Sequence, residues 1–120
     1  MASTRGLDER YRPVADQLIA WFRAQDPRFV ITSGLRTRAE QAALFAKFQR
    51  GEGGVYTVLP PGKSQHERGF AVDIARIGTP PKEDRLLHAA GLRWRAVGGV
   101  WGGEADPVHF EAPRWLSGRA

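Results

Sequence analysis

Cysteine is absent from the 120 residues. That excludes a disulfide framework, a thiolate-ligated zinc or iron–sulfur site and a thiol nucleophile. No apolar run approaches the ~20 residues that cross a bilayer, so membrane insertion is not expected. The opening stretch, MASTRGLDERYRPVADQ, lacks the apolar centre of a signal peptide. The protein is expected to be made in the cytoplasm and to reach any outer target by another exit. There is no internal repeat and no low-complexity segment. Lysine is scarce: only Lys47, Lys63 and Lys82 among 18 basic residues, so the other fifteen are arginines.

Net charge is +5, which suits an anionic partner such as nucleic acid, acidic lipid or cell wall. The arginines are spread from Arg5 to Arg119 without a long run, as on a solvated surface. No helix-turn-helix, zinc-finger or aromatic RNA-binding pattern frames them, so no nucleic-acid partner is expected. Gly98-Gly99 and Gly102-Gly103 lack the spacing of a phosphate loop. The length fits one domain, residues 1–120, and a monomer is expected.

Apolar residues at Tyr11, Val14, Leu18 and Phe22, flanked by Ala15 and Ile19, predict a helix from about Asp8 to Gln25. Phe29 to Thr32 reads as a short strand, followed by a turn at Ser33 to Arg36. Thr37 and Glu40 form a capping box for a helix carrying Leu44, Phe45 and Phe48 and stopping at Gly51. Gly51 to Gln65 reads as a long loop. Phe70 to Ile74 alternates as a strand. Lys82 to Ala90 reads as a short helix ended by Gly91. Val97 to Trp101 and Val108 to Glu111 read as two further strands. This order predicts an α+β fold with a small antiparallel sheet and flanking helices.

The chemistry gathers in two stretches. In Ser64-Gln65-His66-Glu67-Arg68-Gly69-Phe70-Ala71-Val72-Asp73-Ile74, the residues Phe70, Val72 and Ile74 share an apolar face. Asp73 then points the other way beside the small Ala71, and a turn at Gly69 could bring His66 to it. In Asp106-Pro107-Val108-His109-Phe110-Glu111, Val108 and Phe110 point inward, while His109 and Glu111 share the opposite face. Asp106 belongs to the Pro107 turn. Two imidazoles and one carboxylate suit a catalytic zinc, with Asp106 as general base. The same residues also admit a plain reading, with Asp73 capping a turn and Asp106-Pro107 making one.

Ser64-x-His66-x-x-Gly69-x-Ala71-x-Asp73 followed by Asp106-x-x-His109 resembles the paired motifs of the zinc D-Ala-D-Ala carboxypeptidase and L-alanyl-D-glutamate peptidase family. Vancomycin-resistance dipeptidases, bacterial DD-carboxypeptidases and phage endolysins belong to it, and its fold is shared with the Hedgehog signalling domain. Ser33-Gly34-Leu35-Arg36-Thr37, with Gln41 on the next helix, is similar to a third segment of the family. The resemblance spans about Phe29 to Glu111. It implies His66, Asp73 and His109 as ligands of Zn2+, Asp106 as the catalytic acidic residue, and Arg36 as the donor that stabilises the oxyanion. It also implies that Gln41 and Ser64 line the substrate site. Leu35 departs from the aromatic common there.

The resemblance implies a metallopeptidase acting on the peptidoglycan stem peptide. Small size and the Ser33–Thr37 segment look most like the phage endolysin branch, which cuts between L-alanine and D-glutamate. D-alanyl-D-alanine carboxypeptidase activity is the alternative, and a non-catalytic Hedgehog-like binding domain is a further one. Several residues keep two readings on sequence grounds. Trp101 could stack on substrate or sit in the core. Glu111 could brace a ligand histidine or lie exposed. Tyr56 could line the groove or be an isolated loop aromatic. His88 is expected at a helix surface, and Arg38 is expected to face away from Arg36.

Overall fold

The computed structural model describes residues 2–52 and 58–118. Tyr56 lies outside these. Among the described residues, five helices and four strands follow in the order α1 (Arg12–Gln25), β1 (Phe29–Ser33), α2 (Arg38–Gln49), α3 (Gln65–Arg68), β2 (Ala71–Arg76), α4 (Arg85–Ala96), β3 (Val100–Trp101), β4 (His109–Glu111) and α5 (Arg114–Ser117). A 3-10 turn at Pro81–Glu83 precedes α4. The strands form one antiparallel sheet, as the sequence predicts, and their order in it is β1-β2-β4-β3.

One sheet face is the core. Tyr11, Ala15, Ile19 and Phe22 repeat at helical spacing and bury against Phe29, Ile31, Val72, Ile74 and Phe110. Each buried Ile, Val or Phe side chain contributes about 1.5–3 kcal/mol by leaving water. The buried Tyr11 hydroxyl donates to the carbonyl of Phe110 at 3.0 Å, so its one polar group is satisfied. Below the sheet edge, Arg76 grips the buried Asp84 through Nε at 3.0 Å and Nη2 at 2.5 Å, and reaches Asp26 at 3.2 Å.

Several elements differ from the sequence reading, and α5 is absent from it. Gly91 does not stop α4, which runs on to Ala96. Its missing side chain admits the Trp101 ring instead: a Cβ there would lie 2.1 Å from the indole. The segment Val97–Gly99 is the end of that helix, with Gly98 left-handed at φ 98°, so β3 keeps only two residues. The loop before β2 contains α3, capped by Ser64 and Glu67.

The N-terminal residues run across two of the loops that shape the site. A Cβ on Gly34 would meet the Ser3 carbonyl oxygen at 2.4 Å. The Asp8 amide donates to the carbonyl of Gly69 at 3.0 Å. Gly69 has a left-handed φ of 79°, and a Cβ there would lie 2.6 Å from the Asp8 nitrogen. Both the dihedral and the contact demand glycine.

Candidate metal centre and substrate cleft

Strand pairing assembles the centre. Asp73 on β2 stands opposite His109 on β4, so their side chains share the sheet face away from the core. On the other side Asp73 stands opposite Ser33. In a regular ladder Ser33 would share the face of Ile31. A register shift between Ile31 and Ser33 turns it onto the row of Asp73. Cross-strand order thus gives Ser33, Asp73 and His109 in line, and α3 adds His66 from the side.

The α3 capping box fixes His66. Ser64 Oγ accepts from the His66 amide at 3.2 Å, and the Glu67 carboxylate accepts from the amides of Ser64 and Gly62. His66 is 2% exposed. Its Nδ1 lies 2.9 Å from the Gly34 carbonyl oxygen, and the Arg36 amide donates to the His66 carbonyl at 3.1 Å. The turn after β1 and α3 are thereby tied together in both directions.

Hydrogen-bond direction decides the tautomers. A carbonyl only accepts, so His66 carries its proton on Nδ1 and leaves the Nε2 lone pair free. His109 Nε2 lies 2.9 Å from Glu111 Oε1, which is an acceptor when ionised, so the His109 lone pair sits on Nδ1. Both lone pairs face Asp73 Oδ1, each at 3.2 Å. Three acceptors converge with no proton of their own to share. Such a group needs a cation between its members, and the donor set of two imidazoles and a carboxylate fits zinc.

Electrostatics follow the same contacts. Burial alone would raise the Asp73 carboxyl, but the adjoining His109 and His66 outweigh it and hold the group well below the ordinary carboxylate range. A proton on Nδ1 competes with a metal for that lone pair: burial would lower His109, yet Asp73 and Glu111 outweigh it and push the imidazole up to about 10, so metal binding must displace the proton. The remaining Asp73 oxygen, Oδ2, accepts from Arg36 Nη2 at 3.2 Å. Arg36 also donates from Nε to Ser33 Oγ at 3.0 Å and from Nη1 to Gln41 Oε1 at 3.1 Å. Gln41 passes its amide proton on to the Leu59 carbonyl at 2.8 Å. The guanidinium is fixed in orientation and keeps two N–H donors unspent.

A cleft of about 450 Å³ opens over this centre. Arg36, Gln41, Ser64, His66, Asp73, Asp106 and His109 all line it, so the sequence-predicted residues meet in one place. Asp106 sits in the loop between β3 and β4. That loop folds back through Gly102, where a Cβ would come within 2.2 Å of the Asp106 carbonyl oxygen. Burial, and then the charge of Asp73, raise the Asp106 carboxyl above its ordinary value. A carboxylate with raised proton affinity beside a metal position is suited to accept and return a proton.

Trp101 does not line the cleft. It is 5% exposed, in the core, with its indole N–H on the Pro107 carbonyl at 2.8 Å. Glu111 is the brace, not an exposed strand carboxylate. Ser33 was missed because a bulge cannot be read from alternation. The Ser64-x-x-Glu67 box was readable but lay in a stretch rich in glycine and proline. Leu35 lies against Gly6, and Arg38 against Gly62. His88 packs edge-on against Trp101, far from any role in the trio.

Comparison with known proteins places the chain in a family. The VanY family, described as D-alanyl-D-alanine carboxypeptidase, matches residues 4–96, which include Arg36, Gln41, Ser64, His66 and Asp73. Among solved structures, the vancomycin-resistance D,D-pentapeptidase VanY of a VanB-type cassette, in complex with Zn(II), is 20% identical. The match covers 92% of this chain and 76% of that one, with a TM-score of 0.64. The LdcB LD-carboxypeptidase is 20% identical over 95% of this chain and 70% of its own, with a TM-score of 0.68. The L,D-carboxypeptidase DacB from Streptococcus pneumoniae is 18% identical over 95% and 71%, with a TM-score of 0.64. These likenesses establish the shared fold, that of the Hedgehog and DD-peptidase group. With more than half of its length matched by the family, the chain belongs to the VanY D-alanyl-D-alanine carboxypeptidase family.

Proposed function

We propose that the protein is a zinc-dependent peptidase of the peptidoglycan stem peptide. One observation carries this reading: the lone pairs of His66 Nε2 and His109 Nδ1 converge on Asp73 Oδ1 in a cleft that also holds a proton-accepting carboxyl at Asp106. His66, Asp73 and His109 would hold the metal. Zinc, when bound, supplies a Lewis acid and a water acidic enough to react near neutral pH.

The chain's own residues do the rest. Asp106 takes a proton from the attacking water and returns it to the leaving amine. Arg36 offers its two unspent N–H groups to the oxygen that becomes negative, and its ties to Ser33, Gln41 and Asp73 hold them in place beforehand. Gln41 and Ser64 shape the wall and hold Arg36 and His66.

For the bond cut, the sequence favours the L-alanyl-D-glutamate linkage in an endolysin-type role. The family match supports a second reading, removal of terminal D-alanine. Mass spectrometry of products from purified peptidoglycan, with and without chelator, separates them. New N-terminal D-glutamate supports the endopeptidase, and released D-alanine supports the carboxypeptidase. No product from protein that holds zinc overturns the peptidase reading and favours a binding domain.

A further inference from the structure

The cleft extends beyond the residues that carry the chemistry. Its far wall is α2, and that helix buries only Gln41. Leu44 and Phe48 turn toward the cleft instead of the core, and Val58 and Leu59 face them. An apolar trough thus leads away from the metal position. At its end stand two charged side chains, Lys47 and Glu52. Glu52 is ion-paired with Arg50. The only other strongly basic side chain lining the cleft among the described residues is Arg36, already bonded to Ser33, Gln41 and Asp73. Lys47 makes no ion pair or side-chain hydrogen bond among the described residues.

We infer that Lys47 forms an anion-binding subsite, taking a carboxylate that the substrate peptide carries about two to three residues from the bond that is cut. The spacing comes from helix geometry. Gln41, which touches Arg36, marks the chemical end of the wall. Lys47 is six residues further, about 9 Å along the axis at 1.5 Å per residue. An extended peptide covers that in about two to three residues at ~3.3–3.6 Å each. An ammonium at the lip of an apolar trough attracts a carboxylate more strongly than one in open water, because part of the surrounding solvent is displaced.

This inference rests on the peptidase reading, and the test keeps the two apart. Two stem pentapeptides serve as probes, one with meso-diaminopimelate at the third position and one with its side-chain carboxyl amidated. Wild-type protein loaded with zinc should prefer the free acid about five- to tenfold in kcat/KM, the size of a partly screened charged hydrogen bond. The preference should shrink at high salt. Lys47→Ala should abolish it and Lys47→Glu should reverse it. Lys82→Ala, which removes the same charge from an exposed site outside the cleft, should keep it. An acid preference equal in wild type and Lys47→Ala, or absent from wild type, overturns the subsite while leaving the peptidase standing. No cleavage of either peptide overturns both.

Discussion

The Nε2 proton of His109 is held by Glu111 at 2.9 Å, two residues along the same strand, and this bond turns the Nδ1 lone pair toward Asp73. Glu111 acts through His109, so it is a positioning residue. Loss of such an outer partner typically weakens a metal site 10- to 100-fold. Glu111→Ala should therefore raise the zinc dissociation constant by about 10- to 100-fold in a chelator competition. Glu111→Gln keeps an acceptor and should recover part of it. An unchanged zinc affinity in both variants would show that His109 is oriented by packing alone.

The Asp106 side chain makes no hydrogen bond or ion pair among the described residues, so its removal leaves no partner stranded. Asp106→Ala should keep one zinc per chain by elemental analysis and lower turnover by about 10²–10⁴-fold, the usual share of a general base. His109→Ala should lose the metal itself. Wild-type turnover in the first variant would remove Asp106 from the mechanism.

The pH dependence of stability should report the pair Arg76–Asp84. Burial alone would raise the Asp84 carboxyl, but Arg76, and then the Leu87 amide, outweigh it and lower the group below its ordinary value. A carboxyl lowered by folding stabilises the protein above its unfolded pKa of about 3.9 and loses that contribution as pH falls further. Melting temperature should fall below about pH 4 as this contribution is lost. Asp84→Asn should cost about 3 kcal/mol at pH 7, since it leaves a half-buried guanidinium short of a partner, and should flatten the acid limb. A parallel acid limb in the variant would assign the titration to other carboxylates.

Gly91→Ala pits two effects against each other. Alanine is favoured in a helix by about 1 kcal/mol over glycine. Against that, the added methyl would lie 2.1 Å from the Trp101 ring, which is pinned by its bond to Pro107. Overpacking a core typically costs about 1–3 kcal/mol, so the variant should melt lower. A higher melting temperature would mean the ring shifts freely.

Legibility followed the reach of each signal. Alternation placed Asp73 and His109 on one face, because a strand's period of two survives even in a three-residue strand. The Thr37–Glu40 box was read and formed as expected. Gly91 looked like a helix stop because glycine ends helices locally. Its true reason is a ring that arrives from β3. Trp101 was open to two readings, since an aromatic at a strand end looks alike in core and cleft. Glu111 needed a pairing distance, and Ser33 needed the bulge. Lys47 drew no notice in sequence because a lone lysine in a last helical turn looks like solvated surface.

The bond from Asp8 to Gly69 joins the first residues of the chain to the end of α3, and the bond from Arg36 to His66 joins α3 to the turn after β1. Local opening costs less where contacts are few, and linked segments open together. In hydrogen–deuterium exchange the amides of Asp8 and Arg36 should therefore lose protection as one cooperative unit, at lower free energy than the amides of β2 beneath them. Zinc binding should then slow exchange not only at the loops but at the chain's first residues, which touch no ligand.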